Sequence, residues 1–352
     1  MNGRPTECFR RLARLYREGD VLARILEIMF TRDEAELYLD LPGTAERVAR
    51  GAGVDVKEAG DALEHGFRAG LLYRDAARAY SLVQPHNLAE MILGDARNNV
   101  LGDEYMELWR QLRQKRHEAV LERGVERDAV GRRVLPLTDH VHDVVLPFDD
   151  AADVVRHAEL RAVGQCSCRM ALERCDAPTA EICLAFDDSA RHMLERGAMR
   201  EVDEKECLEI LRRGAEAGLV HMSSGLYHEN SSTGVEFICN CCTCCCNLLY
   251  PYLASGRKLR IGRPFVATLH EELCSGCEDC VERCPFGAVF AQQSTIRIDE
   301  DLCVGCGQCA LVCPEEAVAL ARREGEGFEP TRTRHGWVGP MSPPRPAGGH
   351  DR

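Results

Sequence analysis

Apolar positions in the first third of the chain recur with helical spacing. Leu22, Ile25, Leu26, Met29 and Phe30 share one face at a period of 3.6 residues. Thr44 is placed to cap a short helix through Val48 and Ala49 that ends at Gly51. A second helix, over roughly 56–69, puts Ala59, Ala62, Leu63 and Phe67 on one side, and Gly70 closes it. Two short apolar runs follow, 71–73 and 79–83, parted by the mostly charged residues 74–78, which predicts a hairpin. Residues 87–125 continue as a long helical pattern carrying Leu101, Tyr105, Leu108, Trp109 and Leu112. Residues 133–137 predict a short strand, and 149–159 a helix. From 331 onward Pro, Gly and basic residues without periodicity predict a disordered tail.

Helix, turn, helix, hairpin is the order of a winged helix, and residues 1–95 resemble that superfamily. The second helix sets Lys57, His65 and Arg68 against Glu58, Asp61 and Glu64, so it forms no basic surface. The expectation is a domain that packs or dimerises rather than one that grips DNA.

Composition changes the picture at cysteine. The 352 residues hold 20, of which only Cys8 precedes residue 166; the others fall between Cys166 and Cys313. Disulfide scaffolds are short, secreted and evenly stapled, so clustered thiols in a chain of this size point to metal ligation. The net charge is −13, with −3 in residues 1–130 and −10 in the remainder. No block has the positive excess that binding a phosphate backbone needs. The longest uncharged stretch, 237–256, is long enough to span a bilayer, but six cysteines, Asn240, Asn247 and Pro251 argue against that. The start shows no export signal, so a cytoplasmic protein is expected.

The strongest motif is Cys274-x2-Cys277-x2-Cys280-x3-Cys284-Pro285, repeated as Cys303-x2-Cys306-x2-Cys309-x3-Cys313-Pro314. Both runs resemble the bacterial two-cluster ferredoxins, over about 265–322. In that family the fourth cysteine of each run ligates the other cluster. The resemblance therefore implies one [4Fe-4S] on Cys274, Cys277, Cys280 and Cys313, and another on Cys303, Cys306, Cys309 and Cys284. Gly276, Gly305 and Gly307 let the backbone wrap close to sulfide. Val289-Phe290 and Ile296–Ile298 supply short strands that dry the clusters. Zinc on the same thiolates is the competing occupant.

A second cysteine region lies upstream: Cys166, Cys168, Cys175 and Cys183, then Cys239, Cys241, Cys242, Cys244, Cys245 and Cys246. All ten are candidate ligands of an upstream site; four thiolates complete one cubane, so ten suffice for one or two further iron–sulfur clusters with some left over, or for zinc. Redox-active dithiols and buried structural thiols are the other uses of such residues. Cys166 and Cys168 point the same way if their segment is extended. Cys242 pairs with Cys246, or Cys241 with Cys245, if a helix starts at Cys242. Cys207 sits alone in a helical pattern and reads as a buried thiol. His221 and His228, upstream of the CNCC run, could ligate or relay protons but read as solvated histidines of a polar loop; Ser223-Ser224 and Asp187-Asp188 have no motif around them and read as loop. The arrangement CxCR…C…C…CNCCxCCC ahead of the two ferredoxin runs resembles a group of anaerobe 4Fe-4S dicluster proteins, over most of 20–320. No G-x-G-x-x-G or P-loop is present.

The expected fold class is α+β, in five segments: a winged-helix-like domain (1–95), a helical connector (96–132), a Cys-rich α/β region (133–262), a 2[4Fe-4S] ferredoxin domain (263–325) and a tail (326–352). The expected function is electron transfer between redox proteins, the acidic Cys-rich half docking on a basic patch of the partner, with no membrane or DNA partner and with the N-terminal domain either packing within the chain or forming a homodimer. The alternatives are a redox-responsive winged-helix regulator and a reductase whose upstream cysteines bind substrate.

Overall fold

The computed structural model describes residues 4–85, 87–122, 126–127, 133–134, 144–224, 235–255, 262–293, 295–323, 331–333 and 336–338. The N-terminal helices are α1 (Glu7–Leu15), α2 (Asp20–Met29), α3 (Arg32–Tyr38), α4 (Ala45–Ala52) and α5 (Val56–Ala69). Thr31 and Glu34 close a capping box at α3, each satisfying a backbone N–H that the first turn leaves open. Strands β1 (Leu72–Arg74) and β2 (Tyr80–Leu82) pair antiparallel as the expected hairpin. The expected long helix over 87–125 is instead α6 (Leu88–Leu93), a 3-10 turn (Ala96–Leu101) and α7 (Asp103–Glu122). Gly94 caps the first of these, and Gly102, at φ 98, redirects the chain before the last.

Further along come β3 (Glu126–Arg127) with β4 (Arg133–Val134), β5 (Val144–Leu146), α8 (Phe148–His157) and β6 (Arg161–Gly164). Next are α9 (Ser167–Leu172), β7 (Cys183–Phe186), α10 (Asp187–Arg196), β8 (Arg200–Glu201) and α11 (Glu204–Glu216). Strands β9 (Val220–Ser224) and β10 (Phe237–Cys241) lead to α12 (Leu249–Ser255). The last third holds β11 (Phe265–Leu269), α13 (Asp279–Arg283), β12 (Val289–Gln292), β13 (Thr295–Ile298), α14 (Gln308–Leu311) and β14 (Val318–Arg322). In the segment expected to be a disordered tail, β15 (Thr331–Thr333) and β16 (Gly336–Val338) pair antiparallel; its other residues from 326 on lie outside the described residues. Among the described residues no helix is long and apolar enough to cross a membrane.

By compactness the chain forms two units. The first comprises 1–120, 164–174 and 192–200; the second comprises 121–163, 175–191 and 201–352. In the first, Leu12, Leu22, Ile25, Leu26, Tyr38, Leu63, Phe67, Tyr105 and Trp109 make a buried core. The α7 stripe Tyr105, Trp109, Arg113, His117 is buried throughout, so two polar side chains sit where the helical period calls for apolar ones. Arg113 pairs with Glu90 at 2.8 Å. Arg196 is also buried; its Nε donates to the Phe67 carbonyl and its Nη2 to that of Met91, a cation against the last turns of α5 and α6. Burial lowers its pKa to about 10. Gly70, at φ 92, lies where a Cβ would strike that guanidinium and the Met91 carbonyl.

The six-stranded sheet of the second unit runs β5-β9-β10-β7-β6-β8. β10 pairs antiparallel with β9 (Cys239 opposite Met222, Cys241 opposite Val220) and with β7 (Phe237 opposite Ala185). Strand alternation gives the sheet two unlike faces. Val145, Val220 and Met222 join one apolar core with Cys241, Cys246 and the residues around the C-terminal cysteines. His221 and Asn240 take the other face, where Asn240 presses against Gly214 of α11 and His221 lies 6.1 Å from the Phe148 ring of α8.

His221 and Ser223, expected in a loop, are therefore buried strand residues. Asn240 Nδ2 donates to the Ile182 carbonyl, which turns its Oδ1 to accept from His221 Nδ1 at 2.6 Å. Asp187 is likewise no loop residue. It opens α10, buried, and its Oδ1 accepts from the backbone N–H groups of Glu159 and Leu160. Cys207 is a buried α11 thiol, as expected. His228 lies outside the described residues.

Candidate metal centres

The last third is a repeated unit. In each half a strand leads into a Cys-rich loop, a one-turn helix and a second strand; β11 pairs with β14, and β12 with β13. Gly276 and Gly305 occupy the same place in the two loops, both at φ 73. Two residues on, Glu278 (φ 67) and Gly307 (φ 77) both adopt the left-handed conformation ahead of α13 and α14. These bends curl three cysteines around one point, and the following Pro turns the chain away.

Two pockets result. One is lined by Cys274, Cys277, Cys280 and Cys313, with Leu269, Ile296 and Val318 as its apolar wall. The other is lined by Cys303, Cys306, Cys309 and Cys284, with Ala267, Phe286, Val289 and Leu320. Each run thus sends its fourth cysteine to the opposite pocket. Sulfur meets backbone donors: Ala267 N–H lies 3.4 Å from Cys303 Sγ, and Ala317 N–H 3.2 Å from Cys313 Sγ. Burial pushes Cys306 up to about 12 and raises Cys280 and Cys309. Without a cation these thiols stay protonated, and a bound metal reverses that by drawing out the thiolates. Four thiols, an apolar wall and N–H groups aimed at sulfur fit an iron–sulfur cluster in each pocket.

The ten upstream cysteines do not form one group. Cys175, Cys242, Cys244 and Cys245 come together with all four sulfurs within 4.8 Å of one another, and Cys244 and Cys245 are 3.8 Å apart. Burial pushes Cys244 up to about 12. Cys241 is in hydrogen-bond reach of Cys239 and Cys246. Cys166 and Cys168 sit thiol against thiol in the first unit, beside Arg169 and within the field of Arg113. Cys183 begins β7.

Two local expectations are corrected. The helix expected from Cys242 begins only at Leu249, and residues 243–245 form a turn, so the sharing of thiols follows turn geometry instead of helical faces. Cys166 and Cys168 are not on an extended segment: Cys166 is the N-cap of α9 and Cys168 lies in its first turn. Arg113, close to that pair, escaped the sequence reading. Its signal was a charged residue four positions along from Trp109, the next place on the Tyr105–Trp109 stripe.

Residues 273–317 match the family model of the 4Fe-4S dicluster domain. No curated protein and no solved structure matches the chain.

Proposed function

We propose that this protein is an iron–sulfur electron carrier whose two [4Fe-4S] clusters are held by Cys274, Cys277, Cys280 and Cys313 and by Cys303, Cys306, Cys309 and Cys284. The observation that carries this reading is the sorting of eight cysteines into two apolar pockets, each completed by the fourth cysteine of the other run. Such clusters take up and release one electron at a time. The chain's part is to supply thiolates, to aim N–H groups at sulfur and to keep water out, which together set the potential. Cys175, Cys242, Cys244 and Cys245 form a further thiolate site in the same second unit. The acidic balance of residues 131–352 suits transient docking on a basic partner surface. The helices and hairpin of residues 1–95 serve packing or self-association.

Anaerobic purification with iron, sulfide and zinc analysis tests this. The dicluster segment should contribute about eight iron and eight sulfide per chain. Cys277→Ser should perturb one cluster and Cys306→Ser the other, separable in the reduced protein by electron paramagnetic resonance. Zinc with negligible sulfide would end the iron–sulfur reading.

A further inference from the structure

The run Cys239–Cys246 is dealt to two places. Cys239 and Cys241 alternate along β10 with Asn240, so both project from the face that carries Val145, Val220 and Met222. Neighbours on an extended chain point to opposite sides, so Cys242 diverges from Cys241 at the strand's end. Cys242, Cys244 and Cys245 join Cys175, whereas Cys246 turns back to Cys241. Cys246 is buried, and its Sγ accepts from the Leu248 N–H at 3.4 Å, the same N–H to sulfur contact found at Cys303 and Cys313.

A fourth thiol is within reach. Phe237 opposes Ala185 and Ile238 opposes Leu184, so the same register one step on sets Cys183 across from Cys239 and on its side of the sheet. Directly opposed residues on antiparallel strands hold their Cβ atoms about 5 Å apart. Cys241 and Cys246 belong to the core that runs on to the dicluster cysteines, Cys239 packs against it, and Cys183 is half-buried. Leu219, just before the partner of Cys241, accepts a hydrogen bond at 2.8 Å from Gln308, which lies between Cys306 and Cys309.

We propose that Cys183, Cys239, Cys241 and Cys246 hold a [4Fe-4S] cluster of their own, separate from the site at Cys175, Cys242, Cys244 and Cys245 and next to the Cys303 pocket. This rests on the reading of the two C-terminal pockets as cluster sites. Three thiols from one strand and its turn, and one from the neighbouring strand, supply the four ligands of a cubane in a dry, apolar setting.

The test uses the full chain, purified without oxygen. With clusters in the two C-terminal pockets and at the proposed site, iron and sulfide should each be about twelve per chain, any metal at Cys175, Cys242, Cys244 and Cys245 being counted separately. Cys239→Ser with Cys241→Ser should remove about four of each and leave the reduced signals of the C-terminal pair intact. Cys183→Ala is the milder variant and should give a [3Fe-4S] signal in the oxidised protein that the parent lacks. Unchanged iron and sulfide in the double variant, together with no new signal in Cys183→Ala, would overturn the proposal. So would one zinc per chain that the double variant loses. Protein that never holds iron or sulfide, even at the cysteines probed by Cys277→Ser and Cys306→Ser, would refute the reading beneath it instead.

Discussion

Gly276 and Gly305 look interchangeable in the sequence and share φ 73, yet their surroundings differ. A Cβ at 276 meets nothing within 4 Å, whereas at 305 it collides with the Phe265 carbonyl of β11. Gly276→Ala should therefore cost only the left-handed penalty, about 1–2 kcal/mol, and keep full iron. Gly305→Ala must move β11 and should lose about four iron, those of the Cys303 pocket. Equal iron in both variants would refute this. The motif made the glycines legible; the contact with β11 was not, because it joins residues forty apart in sequence. His192 carries a second residue-scale prediction. It stacks on Tyr73 at 5.0 Å and meets the edge of Phe67, with Nε2 buried and unpartnered among the described residues. Burial, then Arg196 and Arg74, lower its pKa to about 4. The unfolded chain takes up this proton near pH 6.5 and the folded one only near 4, so its contribution to stability is lost as pH falls through that window. Between pH 7.5 and 5.5 this amounts to about 1 kcal/mol. His192→Phe keeps the ring and removes the titration. Amide exchange in α5 should then show a flatter acid response than the parent, and parallel profiles would refute the assignment.

At the scale of elements, α5 was legible to its last residue: apolar positions at helical spacing and a closing glycine set both its bounds and its buried face. The Cys-rich turn was not. Cysteine, threonine and asparagine are weak helix formers, and thiols drawn toward common centres override the little propensity they have. α5 also carries a prediction about DNA. Lys57 pairs with Asp61 at 2.9 Å, Arg68 with Glu64 at 3.0 Å and His65 with Glu34 at 2.6 Å. Lys57 and Arg68, the α5 cations available to phosphate, each already face a carboxylate, which weakens any pull on a duplex. The full-length protein should show no sequence-selective duplex binding at physiological salt with clusters oxidised or reduced. Sub-micromolar, salt-sensitive binding in an anisotropy titration would reverse this and bring back the regulator alternative. The full chain is the right material, because the first unit also draws on residues 164–174 and 192–200.

At the scale of the molecule, that interleaving is what the sequence hid. A chain that leaves a unit and returns to it carries no local mark, since period, caps and turns report only neighbours in sequence. The mooring of the dicluster segment was equally invisible. Arg283, between Cys280 and Cys284, donates to the carbonyls of Ala215 and Glu216 and to Gln308 Oε1, while Gln308 donates to Leu219. Arg283 thus binds the last two carbonyls of α11 and Gln308 the carbonyl just ahead of β9, each from a position between pocket cysteines. Arg283→Ala with Gln308→Ala removes these bonds without touching a thiol. Bonds of this kind contribute about 0.5–1.5 kcal/mol each, and about 1.5–3 kcal/mol where the donor is charged. The double variant should keep its iron, lose exchange protection around Leu219 and Val220, and melt several degrees lower. Loss of iron would make the two residues part of the cluster shell. An unchanged midpoint with unchanged exchange would mean that the dicluster segment is held to the sheet by its apolar core alone.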